Sequence, residues 1–337
     1  MGGKALNKFG VYTERKNSKE FRKIRNEIQN ILNTKLQLIS KSVLFYKTKS
    51  NHGDLDLLIK IPKGFHIKWY DFIKKTFQPN GIYSNGNVYS FDYDNFQIDF
   101  ILIKEEYWEI AQIYFAYDPL GNIMGKTFHK FGLSYGWKGL YYKYRNHDGI
   151  NIKDILITRN PQKIFEFGGY DFERFIVSGF DYLEEIFEYC INSKYFSSDI
   201  FQFNNLKTID KKRNRKRNSY KKFLEYINNK NINKLYSFNK DKNFYIEMIN
   251  DFFPESNLID ILKILDLECE KKKTISNKFN GNIVMEWLPE LKGVELGRII
   301  SLFKKSFIES YDDYILKTEI SKIKEDFFKI YDKNKRK

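Results

Sequence analysis

The alternation of apolar and polar positions predicts secondary structure most clearly in the first third of the chain. Asn17, with Glu20 three residues later, is a typical helix start. The apolar residues that follow recur at spacings of three and four, which places them on one helical face: Phe21, Ile24, Ile28 and Ile31. Short apolar runs then predict strands over 42–46, 54–61, 87–93 and 96–103, a helix over 66–77, and turns at Gly81–Gly86 and Asp94–Asn95.

The second half of the chain is predicted to be helices separated by loops. Apolar residues recur at helical spacing over 182–193, 219–228, 257–272 and 295–308. A unit of mixed strands and helices followed by a helical region predicts an α+β fold. We expect one domain over 1–170 and a second, helical and basic domain over 171–337.

The predicted strand 54–61 begins with two acids, in the sequence Gly-Asp-Leu-Asp-Leu-Leu-Ile, although Asp is depleted from strands. Because successive side chains of a strand point to opposite faces, Asp54 and Asp56 project from one face, and the leucines that follow each of them project from the other. Two carboxylates on one face repel each other unless a cation lies between them. The position of this pair therefore indicates a function.

A third acid, Asp99, stands in the equally apolar run Phe-Gln-Ile-Asp-Phe-Ile-Leu-Ile over 96–103. If the two strands are neighbours, Asp99 meets Asp54 and Asp56 at one spot on the sheet. Carboxylate oxygens suit Mg²⁺, which binds one or two carboxylates together with substrate phosphates. The alternative is that all three acids face solvent on a half-exposed sheet. The glycine and the Lys/Ser/Asn-rich loop before Asp54 favour a metal site for a nucleotide.

Composition adds a strong positive charge. Of 337 residues, 58 are Lys or Arg and 43 are Asp or Glu, a formal net charge of +15, which predicts a polyanionic partner. The two cysteines have no partner pattern, so neither a disulfide framework nor a zinc site is indicated. No apolar run is long enough for a membrane helix or a signal peptide. We expect an intracellular protein, cytoplasmic or nuclear and not secreted, that binds nucleic acid and no membrane.

The positive charge is densest just before the predicted helix 219–228. This basic cluster consists of Lys211, Lys212, Arg213, Arg215, Lys216 and Arg217. Phosphate contacts from such a cluster give affinity for nucleic acid without sequence choice. The alternative is a solvated loop or a nuclear-localisation-like run.

The acidic motifs resemble those of the DNA polymerase beta nucleotidyltransferase superfamily, whose signature is Asp-x-Asp with a third Asp on a neighbouring strand. The stretches 98–136 and 157–171 are similar to the palm-to-thumb passage and a thumb segment of family X DNA polymerases. The resemblance implies a palm with a mixed sheet. It also implies two Mg²⁺ ions, replaceable by Mn²⁺, on Asp54, Asp56 and Asp99.

The same resemblance implies contacts to the incoming nucleoside triphosphate. Tyr114 and Phe115 match a pair beside the nucleotide sugar, Asn122 matches a minor-groove contact to the nucleotide, and Lys126 matches a basic residue near the template. Two departures stand out. Val43-Leu44 replace the family's triphosphate-binding Gly-Ser, so this role is expected to fall on Lys47, Lys49, Ser50 and Gly53. The residues before the palm are also too few for the lyase domain of repair polymerases.

Three functions remain open. The favoured one is transfer of a nucleoside monophosphate from an NTP or dNTP to the 3′-hydroxyl of a nucleic acid, with Asp99 as proton acceptor. The second is template-independent addition to RNA or tRNA, because 278–281 and 291–298 resemble the tail of CCA-adding enzymes. The third is a non-catalytic nucleic-acid-binding protein on the same fold, against which the retention of all three acids argues. The opening residues and 212–227 also resemble nucleotidyltransferase-like proteins of large DNA viruses and phages.

Overall fold

The computed structural model describes residues 3–146, 148–307 and 310–335, and two compact units divide the chain. The first unit comprises the chain up to Tyr144 together with Asn151–Leu258. The second comprises Arg145–Ile150 and the chain from Ile259 onward. Met1 and Gly2, which open the sequence, and residue 308, at the end of a predicted helix, lie outside the described residues.

The described residues form an α+β fold with a helical C-terminal region. The strands are β1 (Lys16–Asn17), β2 (Ser40–Ser42), β3 (Asn51–His52), β4 (Asp54–Ile61), β5 (Ile82–Asn85), β6 (Val88–Tyr93), β7 (Phe96–Lys104), β8 (Leu133–Gly136), β9 (Gly139–Arg145) and β10 (Asn151–Thr158). The helices are α1 (Ser18–Leu36), α2 (Trp69–Phe77), α3 (Trp108–Phe115), α4 (Leu120–Lys130), α5 (Pro161–Phe167), α6 (Leu183–Ile191), α7 (Thr208–Arg215), α8 (Asn218–Asn229), α9 (Lys242–Phe252), α10 (Leu258–Lys278), α11 (Gly281–Trp287), α12 (Gly293–Lys305), α13 (Tyr311–Lys317) and α14 (Ile320–Lys335).

A mixed five-stranded sheet forms the centre of the first unit. Its strand order is β2-β4-β7-β6-β5, in which β4 and β7 are parallel and the other neighbours are antiparallel. Between the parallel strands the chain crosses over through α2 and the hairpin β5-β6, as a parallel pair requires. Two smaller sheets, β1-β3 and β10-β9-β8, complete the strand pairing.

The two faces of the large sheet are covered by different elements. Leu55, Leu57 and Ile59 of β4 point into a core that α1 and α2 close from one side. The intervening Leu58 packs on the opposite face, with Ile101 and Ile103 of β7 and with residues of α3. By strand alternation, Asp54 and Asp56 share the face of Leu58, and Asp99 shares that of Ile101.

Most of the predicted elements are confirmed. Helix α1 begins with the predicted capping box at Asn17 and Glu20, and β4, β6 and β7 agree with the predicted strands to within a residue. The four predicted C-terminal helices correspond to α6, α8, α10 and α12. The segment 105–158, for which the hydrophobic pattern predicted no elements, contains α3, α4, β8, β9 and β10.

The predicted strand 42–46 is wrong in its bounds, because β2 ends at Ser42. Val43 still donates to the Asp56 carbonyl, but the backbone then turns to other partners. The Leu44 carbonyl accepts from Tyr117, and the Lys47 amide donates to the Phe180 carbonyl. The apolar residues of 42–46 therefore predicted a strand, although the backbone after Ser42 forms its hydrogen bonds with distant loops.

Two further bounds differ from the prediction. Helix α2 begins at Trp69 rather than at 66, after a backbone turn from Pro62 to Phe65. The predicted turns over Gly81–Gly86 instead contain β5, which pairs with β6.

The first unit extends well beyond residue 170, where the sequence predicted a domain boundary. Ser193 donates to the Gly168 carbonyl at 2.8 Å. The rings of Phe131 and Tyr195 lie 5.0 Å apart. The helices that follow residue 170 therefore continue the first unit, and the compact units separate near Leu258.

The second unit has its own core, in which the apolar faces of α11 to α14 meet. Phe279, Phe303 and Phe327 are almost completely buried there and contact one another through their rings. Within residues 3–146, 148–307 and 310–335, we find no helix with the combination of length and hydropathy needed to traverse a lipid bilayer.

The cap of α1 can be tested by Asn17→Ala. The Asn17 side chain accepts from the amides of Lys19 and Glu20 at 2.9 and 3.0 Å. Its loss is expected to lower the free energy of unfolding by about 1 kcal/mol, measured by urea denaturation. The control is Asn30→Ala at an exposed position inside the same helix, where alanine is the better helix former. Equal losses in both variants would contradict the capping role.

Candidate metal centre

The parallel pairing of β4 and β7 brings the three predicted acids together. In its register Asp56 lies opposite Asp99, and Asp54 lies opposite Gln97. Each acid offers a carboxylate oxygen, and these ligand atoms all lie within 4.8 Å of one another. The condition stated from the sequence, that the two strands be neighbours, is therefore met.

Hydrogen bonds hold two of the three carboxylates. The Gly3 amide donates to Asp54 Oδ2 at 3.1 Å. Gln97 Nε2 donates to both oxygens of Asp99, at 3.1 and 3.0 Å. Across the described residues we find no donor to the Asp56 carboxylate. Asp56 thus keeps its oxygens free for a ligand from outside the chain.

The electrostatic setting of these acids is unfavourable without a cation. Burial is the main cause that raises the pKa of all three. The charges of Asp54 and Asp99 raise the pKa of Asp56 still further. The pKa of Asp99 is raised to about 6, although a hydrogen bond from Ser90 opposes the shift. A bound cation would offset this repulsion, and three carboxylates are a donor set that Mg²⁺ or Mn²⁺ accepts.

Lys49 is the predicted phosphate-binding lysine that lies beside the acids. Burial lowers its pKa, and the charges of Asp54, Asp56 and Asp118 act in the opposite direction. Lys47 instead forms an ion pair with Asp181, with 2.8 Å between Nζ and Oδ1. Of the two lysines predicted to bind the triphosphate, Lys49 is therefore the one near the acids.

The other predicted residues of this loop differ in exposure. Ser50 is exposed and Gly53 is buried, directly before β4. His52 has an exposed fraction of only 1%. Its ring stacks on Phe21 at 4.1 Å and contacts Phe45 at 4.6 Å. This histidine packs in the core and helps to fix the loop.

The predicted aromatic pair lies on α3. The ring of Tyr114 contacts those of Phe115 and Tyr135 at 5.3 and 5.2 Å. Phe115 is partly buried against the apolar cluster on the acids' side of the sheet. Both rings therefore have packing roles.

Asn122 and Lys126 contact helix α7, which carries most of the basic cluster. Asn122 Nδ2 donates to Asn214 Oδ1 at 3.3 Å. Lys126 Nζ lies 3.5 Å from Asp210 Oδ2, and the lysine is 8% exposed. Both partners belong to α7. The residues predicted to contact nucleotide and template thus lie next to those predicted to bind nucleic acid.

Helix α7 presents most of the basic cluster to solvent. Asp210 and the buried Asn214 lie one helical turn apart and face α4. Four side chains of the basic cluster are exposed, those of Lys212, Arg213, Arg215 and Lys216. Lys211 and Arg217 are half-buried. Asp210 and Asn214 therefore anchor the helix, and most positive charges of the basic cluster remain accessible.

Three residues at the site escaped the sequence analysis. Gln97 could have been found, because strand alternation puts it on the face of Asp99. Gly3 and Asp118 both lie outside the two acidic motifs of the sequence. The charge of Asp118 raises the pKa of Asp56, and its own carboxylate accepts from Ser219. No local pattern marks either residue, because both reach the site only through tertiary folding.

The strain within the acid cluster can be tested by Asp56→Asn. Removing this poorly compensated charge is expected to raise the melting temperature in EDTA, and to remove any gain in melting temperature from Mg²⁺ or Mn²⁺. Differential scanning calorimetry measures both effects.

A matched control is available on β6. Asp92 is also buried, but it accepts from the Asn80 side chain at 2.7 Å and from the Gly81 amide at 2.9 Å. Asp92→Asn is expected to lower the free energy of unfolding by about 1.5–3 kcal/mol, as for hydrogen bonds to a charged group. If Asp56→Asn were destabilising to the same degree, Asp56 would be an ordinary compensated acid.

Comparison with protein-family models and with curated proteins identifies no relative of this chain. Neither the protein-family models nor the curated proteins match this chain. The case for a function therefore depends on the geometry of the acids and on the resemblance of the motifs.

Proposed function

We propose that this chain is a metal-dependent nucleotidyltransferase of the DNA polymerase beta superfamily. It transfers a nucleoside monophosphate from an NTP or dNTP to the 3′-hydroxyl of a nucleic acid. The observation that carries the proposal is the convergence of Asp54, Asp56 and Asp99, from two parallel strands, with their ligand atoms within 4.8 Å of one another. The same acids form the motif on which the family resemblance depends.

The chemistry follows from the groups at the site. The acceptor 3′-oxygen bonds to the α-phosphorus, the bond from that phosphorus to the leaving oxygen breaks, and pyrophosphate departs. Bound divalent cations supply charge neutralisation for the phosphates and favour ionisation of the hydroxyl. Asp99 is assigned as the acceptor of the proton that the hydroxyl loses.

Phosphate binding is assigned to Lys49 rather than to Lys47. Lys49 already lies among the acids, so its positive charge is next to the place where the triphosphate would bind. Lys47 is held by Asp181. Ser50 and Gly53 remain candidates for contacts through a hydroxyl and a backbone amide, which would replace the family's Gly-Ser.

Nucleic acid binding is assigned to the exposed face of α7. Asp210 and Asn214 fix this helix against α4, and its lysines and arginines point away from that contact. Such a surface attracts phosphates without reading sequence. The net charge of +15 supports the same class of partner.

A nucleotide-addition assay tests the reaction. The wild type is incubated with Mg²⁺ or Mn²⁺ on primer–template DNA, single-stranded DNA and tRNA, with each dNTP and rNTP given separately. Asp54→Asn and Asp99→Asn are expected to lower transfer by at least about a hundredfold, because each removes a charge that the transition state requires. The control is Asp94→Asn, an exposed position in the β6–β7 turn where φ is 52°, a conformation that Asn tolerates.

The products separate the possible functions. Extension that follows the template base indicates a family X-like polymerase, and addition of one fixed base indicates a terminal transferase. Normal turnover in Asp99→Asn would contradict its assignment as proton acceptor. Nucleic acid binding without transfer on any substrate would favour the non-catalytic alternative.

The nucleic acid surface can be tested by a double variant, Lys212→Ala with Lys216→Ala. Affinity for single-stranded DNA is expected to fall, and the slope of log K against log salt is expected to decrease by about 1 for each lysine. Fluorescence anisotropy at several salt concentrations measures both. The control is Lys272→Ala with Lys273→Ala, which removes the same charge from exposed positions on α10. Equal losses of affinity in both double variants would show that DNA binding depends on the net charge and not on the basic surface of α7.

A further inference from the structure

The backbone of Gly3–Ala5 is linked by hydrogen bonds to two of the three acids, to one directly and to the other through a side chain. The Gly3 amide donates directly to Asp54 Oδ2 at 3.1 Å. The Ala5 amide donates to Gln97 Oε1 at 2.9 Å, and the Nε2 of the same Gln97 donates to both oxygens of Asp99. One short piece of backbone thus reaches Asp54 directly and Asp99 through a single side chain.

Several contacts fix this segment in place. Thr13 Oγ donates to the Gly3 carbonyl at 3.0 Å. Leu6, immediately after the segment, is 1% exposed. Farther along, β1 pairs with β3, directly before β4. The amides of Gly3 and Ala5 are therefore held at the acids by packing and hydrogen bonds on both sides.

The backbone at Gly3 accepts only glycine. Its φ of +81° belongs to the left-handed region, and a Cβ built there would lie 2.2 Å from the Gly53 carbonyl oxygen. Because Gly53 directly precedes Asp54, a side chain at position 3 would displace the residues that carry the first acid. Gly10 has a similar φ of +76°, but nothing lies within 4 Å of its Cβ position.

We propose that Gly3–Ala5 is a positioning element of the metal site, which orients Asp54 directly and Asp99 through Gln97. The proposal rests on the proposed function for the identity of the site. Hydrogen bonds to metal-binding carboxylates fix their orientation, and their loss weakens metal affinity. The segment does not contact the reacting atoms, so its role is to hold the ligands in place. The opposite role, in which the segment blocks the site, predicts that disturbing it strengthens metal binding.

The direct test compares Gly3→Ala with Gly10→Ala in the full chain. Mn²⁺ is titrated and the free ion is followed by electron paramagnetic resonance, without nucleotide or nucleic acid. Gly3→Ala is expected to raise the Kd for Mn²⁺ by about tenfold or more. Gly10→Ala introduces a methyl group at a left-handed glycine of the same region without the clash, and it is expected to leave the Kd unchanged. Melting temperatures in EDTA show whether either variant loses its fold.

A second pair of variants covers the case in which Gly3→Ala fails to fold. Thr13→Val keeps the side-chain shape but removes the hydrogen bond to the Gly3 carbonyl, and it is expected to raise the Kd in the same direction by a smaller factor. Thr48→Val is the control, because Thr48 Oγ donates to the Asp181 carbonyl at 2.6 Å, outside this segment. An unchanged or lower Kd in folded Gly3→Ala or Thr13→Val overturns the positioning role.

The two proposals fail in different ways. If the wild type binds no Mn²⁺, the metal site itself is wrong and both proposals fall. If the wild type binds Mn²⁺ and the Gly3 variant binds it more weakly, but no substrate is extended, the positioning role stands and nucleotidyl transfer fails. If transfer occurs, the defect of Gly3→Ala should be relieved by raising the Mg²⁺ concentration, which a loss of proton transfer would not allow.

Discussion

The parallel pairing of β4 with β7 is the constraint on which the candidate site depends. A parallel register aligns the strands residue by residue, and here it puts Asp56 opposite Asp99. A slip by one residue would move Asp99 to the other face of the sheet, among the apolar side chains under α1 and α2. The register is fixed because the large apolar residues of both strands must stay in their two cores. The same packing that stabilises the sheet therefore holds the acids together.

This arrangement concentrates negative charge, and the surrounding chain offsets only part of it. Lys49 and the Gly3 amide both act to lower the pKa of Asp54, yet burial still leaves that pKa raised. Asp56 is less well compensated, because the three carboxylates of Asp54, Asp99 and Asp118 raise its pKa, whereas the charge of Lys49 lowers it. An arrangement with this imbalance gains stability when a cation binds. The free energy of folding and the affinity for metal are thus coupled at Asp56.

How much of the site the sequence could predict depends on the range of the interactions. The three acids follow from strand alternation, a local rule, and α1 follows from its cap and its spacing. Lys47 was predicted to bind phosphate, but its partner Asp181 comes from a distant loop that no local pattern links to it. Gly3 reaches Asp54 in the same way. Secondary structure is encoded locally here, whereas the choice of partners around the acids is made by tertiary packing.

The contact between α4 and α7 joins the residues matched to nucleotide and template contacts with the helix proposed to bind nucleic acid. Asn122 and Lys126, matched by resemblance to nucleotide and template contacts, are held by Asn214 and Asp210 of the basic helix. Burial lowers the pKa of Lys126, and the charge and hydrogen bond of Asp210 oppose that shift. An ion pair of this kind is costly to break, because Lys126 left alone would be an uncompensated buried charge. Helix α7 is therefore fixed to α4, and the basic surface that it carries keeps a constant orientation relative to the helix that follows the aromatic pair of α3.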